Sequence, residues 1–378
     1  MLVFYDDSED FGGHEAMTLA AIRHLVLVEN KKIAFIFYKG NVKITAELNA
    51  IRKQSEGLNL IPIDYRSRRL QSVRTLFAIM PIFKVYRLLK SIKADIVVVA
   101  QGRIESCTVG LVAAKIAGCR TLSYIPMAHE VGGNFLSRAI KISVNSVYYN
   151  LADKFITISE LMKKELLARV PGQNVVIVNN GLDLKKFPFH EKTNSRTTFG
   201  IAESDYAIAI IGRVSFKQKA HDFLINTLSG YKEELGHIRL IVVGDGPDLA
   251  KLKELVSLFG LDQQVIFAPW TNDLSQVYAA VDALVIPSWY EGVPLVMLEG
   301  MYCQLPIVAT RLDGMLELLP AEWLFDAGNS KELFSLLKKL VEGKLNDKSV
   351  LAAHKKLILQ NYSLPVFGAS FSEAIYSD

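Results

Sequence analysis

Short, nearly continuous apolar runs alternate along this chain with stretches in which apolar residues recur at helical spacing. Continuous runs suit strands buried on both faces, as in parallel sheets, and helical spacing suits the helices that cover them. The pattern predicts strands near residues 1–6, 32–38, 58–63, 95–100, 121–125, 154–158 and 174–178. Helices are predicted near 13–28, 42–55, 68–92, 105–117, 134–150 and 159–168. After Asn180-Gly181 a polar stretch without apolar periodicity, Phe187 to Thr198, reads as an interdomain linker. The alternation then restarts, with strands near 206–211, 238–243, 264–268, 283–287, 306–309 and 323–326. A last apolar pattern, Val366, Phe367, Phe371 and Ile375 behind Pro365, predicts a terminal helix. The expected class is α/β, two Rossmann-like domains facing a cleft, with ligands at the carboxyl ends of strands.

Length agrees with that division, since 378 residues, half of them apolar, can fill two cores. Cys107, Cys119 and Cys303 are odd in number and lack metal-like spacing, which reads as buried thiols in a reduced cytosolic setting. No apolar run approaches the ~18 residues needed to span a bilayer. The start, Met1 to Asp7, lacks a basic leader and reads as a strand rather than a signal peptide.

Charge is uneven. Residues 1–190 carry 26 Lys and Arg against 16 Asp and Glu, whereas residues 191–378 carry 17 against 23. Residues 65–94 hold eight of the basic side chains and no acid, and Leu70, Val73, Phe77 and Met80 recur within them at helical spacing. Such a basic amphipathic surface suits anionic lipid as well as an ordinary solvated helix face. It lacks the aromatic–glycine pattern of a nucleic-acid binder.

The densest chemistry lies at Ile286 to Gly300. A strand runs into a Ser/Gly turn, and Pro294 stands where a helix would begin. Glu291 falls in the loop, and Glu299 falls about a turn and a half into the helix, leaning back toward its start. Backbone N–H groups of Gly292, Val293 and Leu295, together with the helix dipole, favour an anion there. Two acids beside an anion would repel it, so they suit hydroxyls. A nucleoside diphosphate sugar, anionic in the middle and hydroxylated at both ends, fits. The frame Ser288-Trp289-Tyr290-Glu291-Gly292-Val293-Pro294-Leu295, with Glu299, resembles the retaining glycosyltransferase family 4, whose signature is two Glu separated by seven residues.

The resemblance implies the GT-B fold, with an acceptor-binding domain over 1–186, a nucleotide-sugar domain over 187–364, and a helix at 365–378 returning to the first. It extends to Gly212-Arg213 and Lys219, matching the pair that grips the donor diphosphate, with Ala220 where the family has Gly. A leaving diphosphate gains charge as the glycosidic bond breaks, so fixed cations favour its transition state. Gly244, in Gly244-Asp245-Gly246-Pro247, matches a turn near the donor, and Trp270 falls where the nucleobase stacks. Gln304 replaces a usual Gly, so its turn adopts another conformation or carries strain. Asp313-Gly314 and Glu317 match the segment that closes the motif. In the first domain Gly12-Gly13 matches a loop that meets the diphosphate at a helix start. His129 matches the histidine beside the donor sugar, and Arg103, Glu130 and His14 are candidates to line the acceptor pocket.

The implied activity is transfer of a hexosyl group, with retention, from a UDP or GDP sugar to an acceptor hydroxyl. Glu291 and His129 would serve the reacting sugar and Glu299 the ribose. No Asp-x-Asp stands in a strand-end context suited to a metal–diphosphate complex, so no metal and no cofactor beyond the co-substrate is expected. The expected acceptor is a glycan or a lipid-linked one, as in bacterial surface polysaccharide or glycolipid synthesis, and the basic 65–94 region points to the lipid-linked or otherwise membrane-proximal kind. It also points to a cytoplasmic protein peripheral on the inner membrane face. Two alternatives are a non-catalytic sugar-nucleotide-binding subunit, expected to have lost the Glu or basic pair, and a GT-B epimerase, which needs no acceptor.

Overall fold

The computed structural model describes residues 1–68, 70–127, 135–271 and 273–377. It divides into two compact units, Met1–Gly181 with Leu364–Asp378, and Leu182–Ser363. The first unit is built on a parallel sheet of β1 (Leu2–Asp6), β2 (Ile33–Tyr38), β3 (Leu58–Ile63), β4 (Ile96–Ala100), β5 (Arg120–Tyr124), β6 (Lys154–Thr157) and β7 (Val175–Ile177), in the order β3-β2-β1-β4-β5-β6-β7. Central β1 is buried along its whole length and pairs in register with both neighbours, Leu2 opposite Ile33 and Ile96. Its apolar run, Leu2 to Tyr5, follows from having helices on both faces.

The terminal helix, Leu364–Tyr376, belongs to this unit. Phe371 stacks on Phe4 with ring centroids 6.3 Å apart and meets Tyr124 edge-on at 5.4 Å. Gly368 lies against His24, where a Cβ would come within 2.2 Å of the ring. The buried Lys154 ammonium donates to the carbonyls of Ala374 at 3.3 Å and Ser377 at 2.5 Å. An ammonium taken out of water needs such partners, and here they fasten the chain's end to β6.

The second unit holds β8 (Tyr206–Ile211), β9 (Ile238–Val243), β10 (Val265–Ala268), β11 (Ala283–Ile286), β12 (Ile307–Thr310) and β13 (Leu324–Phe325), all parallel, in the order β10-β9-β8-β11-β12-β13. In both sheets the strand order reverses beside the first strand, between β1 and β4 and between β8 and β11. Connections from the two flanking strands leave in opposite directions there, which opens a crevice at the carboxyl ends. The loops after β1, β4, β8 and β11 are therefore the places to look for ligand chemistry.

Two expected elements differ. The helix expected over 68–92 is two helices, Gln71–Thr75 and Ile79–Ser91. Pro81 explains the break: inside one continuous helix it would leave the Phe77 carbonyl without a donor and clash with it, whereas in the first turn of a new helix it is tolerated. The stretch expected as a linker contains a helix, Lys192–Thr198, inside the second unit. Its buried Arg196 donates to the carbonyls of Ala280 and Ala202, each at 3.2 Å, and pairs with Asp282. A segment held by one buried guanidinium has no apolar periodicity to read.

Candidate active site

β8 is followed by Gly212, at φ +141°, and β9 by Gly244, at φ +148°. A Cβ on Gly244 would fall 1.9 Å from the Gly212 carbonyl oxygen, and one on Gly246 would fall 2.2 Å from that of Val214. The two strand ends thus meet backbone to backbone, and Val214 N–H donates to the Asp245 carbonyl at 2.9 Å. This contact fixes the main chain at Arg213 and leaves its side chain exposed. The short helix Phe216–Lys219 follows, its first N–H donating to the Asp248 carboxylate at 2.9 Å. Lys219 then lies over Gly212, where a Cβ would come 3.4 Å from its Cε. Ala220, buried, takes the left-handed conformation at φ +52°.

Beyond β11, Glu291 is buried and its Oε1 lies 2.6 Å from Lys219 Nζ. The same oxygen accepts from Ser288 Oγ at 2.8 Å. The Glu291 N–H donates to Asp313 Oδ2 at 3.3 Å, Gly314 N–H donates to the Gly292 carbonyl at 3.0 Å, and Thr310 Oγ1 donates to the Ser288 carbonyl at 2.9 Å. Gly314 has no room for a side chain, since a Cβ would meet Val293 Cγ2 at 2.5 Å. The loop bearing Glu291 is clamped from both sides. The helix behind it is Leu295–Tyr302, and Pro294 is its cap, one position ahead of the first-turn place expected, with no side-chain acceptor for the first N–H groups. On that helix Glu299 is half-buried and accepts from the buried Tyr278 hydroxyl. Burial pushes its pKa up, opposed by that hydrogen bond and by Lys186.

In the first unit β1 ends at Asp6, and the helix Gly13–Leu27 starts beyond Gly12. Glu15 Oε2 accepts from Gly12 N–H at 2.8 Å and lies 3.0 Å from His14 Nδ1, while Oε1 accepts from Ser8 Oγ at 2.9 Å. Burial works against a charged His14 ring, but Glu15 and Asp6 outweigh it and hold the pKa above its usual value. Burial pushes Asp6 up to about 6, with His14 and Ser8 pulling the other way. Gly102, after β4, takes φ +61°, and a Cβ there would come 2.8 Å from the His14 ring. The loops after β1 and β4 therefore touch through His14, with Arg103 close enough to act electrostatically on it. A shallow cavity of about 510 Å³, lined by Lys192, Arg196, Asp205, Tyr206, His237 and Asp282, lies instead at the amino ends of the second sheet, away from these loops.

Residues 46–186 match the family described as Glycosyltransferase Family 4, and residues 205–343 match Glycosyl transferases group 1. The chain belongs to this glycosyltransferase family. An uncharacterized glycosyltransferase of Methanocaldococcus jannaschii is 29% identical over 175 residues, 44% of each chain. An Escherichia coli UDP-Gal:alpha-D-GlcNAc-diphosphoundecaprenol alpha-1,3-galactosyltransferase is 26% identical over 260 residues, 62% of each. The matched stretch thus spans less than two thirds of these relatives' own length. Anabaena HepE, crystallised in complex with UDP, superposes over 100% of both chains with TM-score 0.80 at 18% identity. The fold class is GT-B.

In this family 4 chain, Gly212, Arg213, Lys219 and Gly244 gather at the end of β8, and Glu291 joins them through Lys219. Gly292, Val293, Pro294 and Leu295 continue from Glu291 into the helix that carries Glu299. Gly12, Gly13, His14 and Arg103 gather at the end of β1. Trp270 is half-exposed beyond β10. His129 and Glu130 lie outside the described residues. Tyr278, Asp6 and Ser8 escaped the sequence reading. Nothing in a lone tyrosine of a short helix marks it as Glu299's partner, but Asp6-Asp7 at a strand end was a visible signal.

Proposed function

We propose that this protein transfers a hexosyl group, with retention and without a metal, from a nucleoside diphosphate sugar to an acceptor hydroxyl. The observation that carries the reading is the Lys219–Glu291 pair beside Gly212 and Arg213 at the second unit's switch point. Cation, carboxylate and uncapped helix start there match the parts of such a donor. Arg213, Lys219 and the helix start hold the diphosphate, Glu291 the sugar hydroxyls, Glu299 the ribose diol, and Trp270 the base. His129 orients the sugar, and Gly12-Gly13 approach the diphosphate. UDP is the favoured nucleotide, in line with the name of the Escherichia coli relative and the ligand in the HepE structure.

In the step itself the acceptor oxygen forms a bond to the anomeric carbon on the face from which the phosphate departs. The carbon–phosphate oxygen bond breaks, and the acceptor proton passes to that departing oxygen. Cations fixed at the diphosphate stabilise charge that grows only as the bond breaks. The first unit holds the acceptor, with His14, Arg103 and Glu130 at its pocket. A lipid-linked acceptor at the inner face of the cytoplasmic membrane, in surface polysaccharide or glycolipid synthesis, fits the named chemistry of the Escherichia coli relative.

UDP and GDP sugars are to be screened for thermal stabilisation, which grows with affinity, and then assayed for turnover with undecaprenyl-linked and free glycan acceptors. Glu299→Ala is expected mainly to raise the donor KM, and Glu291→Ala mainly to lower kcat. Near-wild-type kinetics in both variants would overturn these roles. Donor isomerisation without acceptor would point to an epimerase, and donor binding without turnover to a subunit of another transferase.

A further inference from the structure

We propose that the first unit docks on an anionic bilayer through the elbow between its helices Gln71–Thr75 and Ile79–Ser91. Leu76, Phe77, Ile79, Met80 and Phe83 crowd this elbow, each more than half exposed, Phe77 at 81% and Ile79 at 74%. Single exposed apolar residues are ordinary, but a contiguous set marks a surface that another phase covers. The helix is firmly seated, because Val85 and Leu89 on its inner face are buried to 2% and 1%. Beyond the first turn the outer face carries exposed Lys84, Arg87 and Lys90, with the Arg87 guanidinium 6.0 Å over the Phe83 ring. An apolar tip with a basic collar is the shape that buries side chains at the acyl boundary while cations meet phosphate headgroups.

No helix among the described residues is long and apolar enough to cross a membrane, so the contact is with the bilayer surface. A second copy of this chain is the poorer occupant, since a symmetric self-contact would set the two basic collars against each other. The proposal deepens the lipid-linked acceptor reading given above, and its test is separable because vesicle binding needs no nucleotide sugar.

The full chain is to be co-sedimented with phosphatidylcholine vesicles, with and without phosphatidylglycerol. Binding is expected only with phosphatidylglycerol, weakening as salt rises. Phe77→Ser with Met80→Ser is expected to lower it at least about tenfold. Lys84→Glu with Arg87→Glu is expected to abolish the preference for the anionic lipid. Unchanged melting temperature and UDP-induced stabilisation in these variants would show that fold and donor site are intact. The proposal fails if the wild-type chain ignores phosphatidylglycerol, if the apolar double variant binds like wild type, or if velocity sedimentation finds a dimer that this variant dissolves. Loss of the UDP effect with vesicle binding retained would count against the transferase reading and leave the docking surface standing.

Discussion

The crevice loops of the two sheets occupy equivalent places and are built from opposite materials. Beyond β8, glycine backbones touch and cations project, with Lys219 on Glu291 and Arg213 at the rim. Beyond β1, the buried carboxylates Asp6 and Glu15 flank one imidazole, that of His14. This runs against the balance of the chain's halves, where residues 1–190 have the basic excess and residues 191–378 the acidic one. What a ligand meets is set by the few charges focused at a strand end, not by net charge. An anionic donor suits the second loop, and hydroxyls that donate hydrogen bonds suit the first.

The hardest test of that contrast removes the second loop's cation. Lys219→Ala is expected to lower kcat/KM by about a hundred- to a thousandfold, the usual loss when a fixed group facing transition-state charge is deleted. Circular dichroism must first show a folded variant, because Glu291 is left buried without its ammonium. Activity within a few-fold of wild type would mean that the pair is structural and that the two loops do not differ in the way described.

Steric differences come next. Gly244→Ala would put a methyl group 1.9 Å from a backbone oxygen that cannot move without parting β8 from β9. A loss of about 3 kcal/mol or more in unfolding free energy is expected from denaturant titration, in the range of severe backbone and packing defects. A near-neutral variant would show that the close approach of the two strand ends is not needed.

A comparable effect appears with pH. His221, directly behind Ala220, is buried with no hydrogen-bond partner on either ring nitrogen, and burial, aided by Lys219, drives its pKa down to about 4. Between its ordinary value near 6.5 and about 4, the unfolded chain binds a proton that the folded chain refuses. Stability from this residue is therefore whole above pH 6.5 and lost as pH falls, by about 3 kcal/mol at pH 4. In the first loop the sign is reversed, since raised Asp6 takes up its proton in the folded state first and gains stability as pH falls toward 4. Comparing His221→Leu with wild type from pH 7 to 4 isolates the histidine. Parallel stability curves would refute its buried neutral state.

How much of this was legible follows from what each feature rests on. Strands of parallel sheets covered by helices write themselves as apolar runs, so the thirteen strands among the described residues were expected within a residue or two. The Glu291 frame was legible because its spacing encodes a strand, a turn and a helix start together. Even the strain was visible: Gln304, standing where the family has glycine, takes φ +58°, and Ala220 takes φ +52°. Arg196's helix and the Tyr278–Glu299 contact were not legible, because each depends on one polar side chain meeting a partner far away in sequence. Pro81 marks the break in the basic helix pair, but the apolar spacing on either side of it runs on as in one continuous helix.

The smallest expected effect divides the two loops most finely, because the glycines of the first are not crowded. A Cβ on Gly13 would meet nothing within 4 Å, and one on Gly12 only Glu15 Oε2 at 3.5 Å. Gly13 opens the helix Gly13–Leu27, so Gly13→Ala should remove a conformational cost and stabilise the fold by about 0.5–1 kcal/mol. If the open space is where a ligand approaches the backbone, the same methyl group will weaken donor or acceptor binding while the melting temperature rises. A variant that is both more stable and fully active would make Gly12-Gly13 a plain turn, and the ligand contacts proposed for the first unit would then rest on His14, Arg103, His129 and Glu130.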